Sequence, residues 1–145
     1  MPDVLVVSDS DAVRRDVRSA IEGPGTTVRE LNRGAEVLPA VREKTPDLAI
    51  LDLQIGKMGG MAACMELRLE EGAGRLPHVP VLMLLDRRAD VFLARRSAAQ
   101  GWVIKPLDAL RLARAVRQVL AGATFEDDAY KPVTVNPGSQ GGGLQ

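Results

Sequence analysis

Three charged side chains each follow a short apolar run: Asp9 after Val4–Val7 and Ser8, Asp52 after Leu48–Leu51, and Lys105 after Gly101–Ile104. Two carboxylates held about 4 Å apart repel by roughly 4 kcal/mol at an effective dielectric of about 20, unless a cation lies between them. A divalent ion that takes oxygen ligands, Mg²⁺ above all, removes that penalty. A carboxylate so placed can attack a phosphoryl group while metal and ammonium neutralise the charge on its oxygens. Singly, each residue has a plain structural role: Asp9 as a helix cap, Asp52 as a turn residue, Lys105 as a surface charge. Jointly, at the ends of three apolar runs, they are hard to explain by packing and point to one site.

Such a site needs strands that end at a common rim. Five short runs read as strands: Val4–Val7, Thr27–Leu31, Leu48–Leu51, Pro80–Leu85 and Gly101–Ile104. The second mixes charge with apolar residues and reads as an edge. Segments of helical period alternate with them. Ser10 caps the first helix, with Asp11 in its positive first turn and Val13, Val17, Ala20 and Ile21 on one face, and Gly23-Pro24-Gly25 ends it. The second starts near Ala35 with Pro39 in its first turn, where the missing amide costs nothing. The others span about 60–71, 90–99 and 108–121, the last with a core stripe of Leu110, Ala113, Val116, Val119 and Leu120. Strict alternation with right-handed crossovers predicts an α/β, doubly wound, flavodoxin-like five-stranded parallel sheet of order 2-1-3-4-5 and five helices. Its ligand site lies outside the carboxyl ends of the strands, between strands one and three. The expected domain is 1–121, with 122–145 a flexible Gly/Pro-rich tail too short for an output domain.

Composition narrows the functions. Nineteen basic and nineteen acidic side chains cancel, so no net field draws the chain to nucleic acid or an anionic membrane. Fifteen of the basic residues are Arg; clusters such as Arg14, Arg15 and Arg18 carry acids such as Asp16 among them and read as solvated helix faces. Cys64 is the sole cysteine and falls on a helical core position. No secretion signal or membrane span is read, and a cytoplasmic location is expected.

Pro46-Asp47-Leu48-Ala49-Ile50-Leu51-Asp52-Leu53 and Gly101-Trp102-Val103-Ile104-Lys105-Pro106, with Met58-Gly59-Gly60 between them, resemble the receiver domains of two-component response regulators over about residues 3–121. The likeness is to a stand-alone, chemotaxis-regulator-like member. It implies that Asp52 takes phosphate from a histidine kinase or phosphotransfer protein and that Mg²⁺ is held by Asp9, Asp52 and the carbonyl of Gln54. It further implies that Lys105 contacts the phosphoryl oxygens and that the Lys105-Pro106 bond is cis.

Five positions depart from the family or need comment. Ser8 replaces an acidic residue, which weakens the metal site. Leu85 stands at the switch position of a Thr or Ser and has no hydroxyl to donate. Asp86 follows in place of a small residue, where it repels an incoming phosphoryl donor or substitutes as a metal ligand. Gly56 replaces a proline and loosens its loop. Trp102 stands where the family carries a switching aromatic, and reads first as a packing anchor.

The leading expectation is a non-enzymatic signalling domain acting through protein binding at the face of helix four, strand five and helix five, with a homodimer through that face left open. The alternative is a phosphorylation-independent pseudo-receiver serving as scaffold or ligand-binding module. A nucleotide- or flavin-dependent enzyme is disfavoured, because Ser8-Asp9-Ser10-Asp11 puts acid where a phosphate loop needs glycine and free amides.

Overall fold

The computed structural model describes residues 2–130. Strands β1 (Asp3–Val7), β2 (Thr27–Leu31), β3 (Leu48–Asp52), β4 (Val81–Leu85), β5 (Gly101–Ile104) and β6 (Phe125–Glu126) form one parallel sheet of order β2-β1-β3-β4-β5-β6. Helices α1 (Asp11–Ile21), α2 (Val37–Glu43), α3 (Gly60–Gly72), α4 (Val91–Arg96) and α5 (Ala109–Leu120) connect and cover it. This is the flavodoxin-like arrangement expected from the alternation, with β2 at the edge.

The central strands read as unbroken apolar runs because both faces are covered. Alternation sends Leu5, Val7, Leu51, Met83 and Leu85 into one layer with residues of α2, α3 and α4, including Val41, Leu67 and Ala94. It sends Val4, Val6, Ile50, Leu82 and Leu84 into the other, with Val17 of α1 and Leu112, Val116 and Val119 of α5. Ser10 caps α1 as expected, its Oγ accepting the Val13 N–H at 3.2 Å. Pro39 lies in the first turn of α2, after a 3₁₀ turn at Gly34–Glu36. Cys64 is fully buried, and burial pushes its thiol pKa up.

Three expectations need correction. The tail read as flexible from residue 122 is, over 122–130, partly built into the sheet: Phe125 and Glu126 make the sixth strand. A two-residue strand has no periodicity, so a pattern search cannot find it. Residues 131–145 of that tail lie outside the described residues. Helix α4 is shorter than the span 90–99, beginning after a 3₁₀ turn at Arg88–Asp90 and ending before Ala98, whose φ of 60° is left-handed. In α5 the buried stripe is Leu112, Ala115, Val116 and Val119, while Leu110 is 83% exposed. Leu110 falls on the side of Arg114 and Arg117, four and seven residues on, away from the set that docks on the sheet. No helix among the described residues is long and apolar enough to cross a membrane.

Candidate functional site

The carboxyl ends of β1, β3, β4 and β5 deliver polar groups to one rim. Asp52, the last residue of β3, is 2% exposed. Its Oδ1 accepts Lys105 Nζ at 2.8 Å and the Gln54 N–H at 3.3 Å. Its Oδ2 accepts the hydroxyl of Ser8, itself fully buried, at 2.8 Å. Asp9 is exposed beside it and is held from the loop after β3, its Oδ2 accepting the Gly56 N–H at 2.9 Å. Gly56 has φ +45°. A proline there would lack both that N–H and that backbone conformation, so the glycine ties the loop to Asp9 instead of merely loosening it.

Lys105 bridges two acids. Its Nζ also donates to Asp86 Oδ1 at 2.9 Å, from the residue after β4. Burial alone would lower the pKa of this ammonium, but its hydrogen bonds to Asp52 and Asp86 prevail and hold it above the ordinary lysine value. The turn carrying Lys105 is pinned on its far side by Asp108, which caps α5 by accepting the Leu110 N–H at 2.9 Å. The Lys105-Pro106 bond is cis.

The sequence matches the response regulator receiver domain model over residues 4–117. This chain belongs to that family. It is 34% identical over 119 residues to the transcriptional regulatory protein CseB of Streptomyces avermitilis, covering 81% of this chain and 48% of that one. The chain thus spans about half the length of the curated relatives it matches. A LuxR-family two-component response regulator from Aurantimonas sp. SI85-9A1 superposes with a TM-score of 0.75 at 29% identity, covering 86% of this chain and 89% of that one. The chemotaxis protein CheY4 of Vibrio cholerae gives 0.72 at 25% identity, over 82% and 98%.

Receiver domains bind Mg²⁺ beside the phosphorylated aspartate. The groups expected as its donors, the Asp9 and Asp52 carboxylates and the Gln54 carbonyl, are hard oxygens of the right kind. Asp9 Oδ1 has no hydrogen-bond partner among the described residues. Mg²⁺ needs only one or two carboxylates because it keeps several waters, so the set fits. It is one carboxylate poorer for having Ser8, whose hydroxyl is turned to Asp52. No cluster of three or more His, Cys, Asp or Glu suited to a metal exists among the described residues.

Leu85, expected at the switch position, is fully buried in the α2–α3–α4 layer, packed as a core residue. Trp102 is 4% exposed in the same layer, with the Arg95 guanidinium 5.1 Å from its ring centroid. Its Nε1 has no hydrogen-bond partner among the described residues. The grip of Asp86 on Lys105 escaped the sequence reading, which weighed Asp86 as a repelling charge or a metal ligand. The adjacency of β4 and β5, already implied by the strand order, was the available signal.

Proposed function

We propose that this receiver domain accepts a phosphoryl group on Asp52 from a histidine kinase or phosphotransfer protein and passes the signal on by binding a protein. The observation that carries the reading is the setting of Asp52: buried at a strand end, with an ammonium on one oxygen and a hydroxyl on the other. A carboxylate oxygen of Asp52 forms the new bond to phosphorus while the donor's bond to phosphorus breaks and its electrons leave with the donor. Lys105 holds the negative phosphoryl oxygens, for which it exchanges its carboxylate partners. Mg²⁺, held by Asp9, Asp52 and the Gln54 carbonyl, supplies further charge neutralisation when bound. For the output, α4 and α5 present Phe92, 55% exposed, and Leu110 to a partner or a second copy.

The wild-type chain, incubated with Mg²⁺ and acetyl phosphate, is expected to gain the mass of one phosphoryl group. An unmodified mass and unchanged Trp102 fluorescence, also with a beryllofluoride salt, would overturn the reading.

One observation favours the pseudo-receiver as second reading. Leu85 is sealed in the core and Asp86 already occupies Lys105, so nothing at β4 offers a hydroxyl to an incoming phosphoryl group. Equal partner binding with and without phosphodonor is the outcome it requires. Asp86 also sets a rate. Asp86 shares the Lys105 ammonium with Asp52, and its side chain is 41% exposed, so solvent screening reduces its repulsion of an incoming phosphoryl group to about 1.4 kcal/mol. Asp86→Ala is therefore expected to raise the initial rate of uptake about tenfold, read by mass against time. A rate that falls would mean that Asp86 positions Lys105.

A further inference from the structure

The edge of β5 facing away from β4 is covered by the chain's own residues 125–127. Phe125 and Glu126 pair in parallel with Gly101 and Trp102, and the Phe125 N–H donates to the Gln100 carbonyl at 3.1 Å. Gly101 permits this approach, since a Cβ there would stand 2.6 Å from the Phe125 carbonyl oxygen. Asp127 then turns inward and is 2% exposed. Its Oδ2 accepts the Ile104 N–H at 2.8 Å, so an acid side chain continues the edge pairing where the strand stops.

Three arginines, from the 3₁₀ turn before α4, from α4 and from α5, converge on this short stretch. Arg88 Nη1 donates to the Asp127 carbonyl at 2.6 Å. Arg111 Nε lies 3.3 Å from Asp127 Oδ2, within ion-pair reach. It is buried and not aligned for a hydrogen bond, and has none among the described residues. Arg95 Nη2 reaches Glu126 Oε1 at 3.4 Å, both side chains being well exposed. The cover is short: two backbone pairs, Phe125 against the core, the buried Asp127 with its Ile104, Arg88 and Arg111 contacts, and one solvent-screened ion pair. Without it, β5 would present a row of unpaired amides and carbonyls flanked by three guanidinium groups.

An open edge of this kind takes an extended segment by strand addition, main chain giving affinity and flanking side chains choosing the sequence. Here the flanking charge chooses acid, and the resident segment spells the preference: an aromatic residue followed by acidic ones. Resting on the protein-binding output proposed above, we propose that the β5 edge is a docking site for an acidic extended segment of a partner protein, with residues 125–127 as the chain's own latch across it. The Ile104 amide capped by Asp127 belongs to the residue before Lys105, so docking edge and phosphoryl site share one strand end.

The test uses the full chain as wild type, Asp127→Ala and Phe125→Pro, with a fluorescent peptide Thr-Phe-Glu-Asp-Asp-Ala read by anisotropy. Asp127→Ala removes the buried anchor. Phe125→Pro removes one edge hydrogen bond at the periphery and keeps Asp127, so it carries the test should the first variant misfold. Because apparent affinity falls with the fraction of molecules whose site is free, both opened variants are expected to bind the peptide on the order of tenfold tighter than wild type. Exchange of the Ile104 amide should speed up in Asp127→Ala and slow again when peptide is added. A variant with native circular dichroism that binds no tighter than wild type overturns the proposal. So does equal competition by a peptide with Lys in place of its acids or by a single-stranded oligonucleotide, and so does an Ile104 amide that exchanges at the wild-type rate in Asp127→Ala.

Discussion

Asp52→Asn is expected to take up no phosphoryl group from acetyl phosphate and Mg²⁺ while folding as the wild type does. An amide is no nucleophile toward phosphorus at neutral pH, which accounts for the loss. The fold survives because Asn has nearly the same shape. Its carbonyl oxygen can accept Lys105 Nζ and the Gln54 N–H as Oδ1 does now, and the Ser8 hydroxyl can turn to accept from the new NH₂. Charge favours the variant. Asp9, Asp52 and Asp86 set three carboxylates against the one ammonium of Lys105, and the substitution leaves two against one. Stability is therefore expected to stay within about 1 kcal/mol of wild type, since Lys105 keeps Asp86 as its partner and no buried charge is left unpaired. Intact mass and the urea midpoint, measured on one preparation, check both halves. Residual labelling at Asp9 or Asp86 would show that the acceptor has been misassigned.

Lys105→Met acts in the opposite direction on stability. It keeps the length of the side chain but leaves the Asp52 carboxylate, 2% exposed, without its cation and Asp86 without its partner. Removing one member of a buried pair is far costlier than removing both, and a loss of about 3 kcal/mol at neutral pH is expected, with slower phosphoryl uptake as well. The pH dependence separates this from a packing defect. The pKa of Lys105 is raised in the folded chain, so its charge contributes stability that is fully present below the ordinary lysine value of about 10.4 and is lost as pH rises through the folded value. The gap between wild type and variant should therefore be constant from about pH 7 to 9 and narrow as pH passes above about 10. Urea denaturation of both chains across that range is the measurement. A gap that stays constant to high alkali would assign the loss to packing.

The latch and the phosphoryl site meet at the end of β5. Asp127 caps the Ile104 amide, Lys105 follows, and Arg111 Nη2 donates to the Ile104 carbonyl at 3.3 Å and the Pro106 carbonyl at 3.1 Å. A change in what covers the edge and a change in what Lys105 holds thus act on neighbouring peptide groups. Measuring peptide affinity with and without acetyl phosphate would report any coupling as a ratio of affinities.

The fold was legible because its signals are local and repeated. Short runs of four to six residues, helical periods between them, the Ser10 cap and the tolerated Pro39 each follow from a few neighbouring residues, and alternation leaves few topologies. The placing of Asp9, Asp52 and Lys105 at one rim followed from the same logic, since each lies at or within two residues of the carboxyl end of a strand. What the three touch is another matter. Lys105 and Asp52 are 53 residues apart, and Asp9 and Gly56 are 47 apart. Such partners depend on strand register and loop path, which no local pattern encodes. Asp86 on Lys105, Gly56 on Asp9 and the inward turn of Asp127 were each decided by tertiary structure. In sequence, a buried acid and a solvated one are the same letter. The difference is made by an amide or a guanidinium that only the folded chain brings within 3 Å or so, where the cost of desolvation is offset.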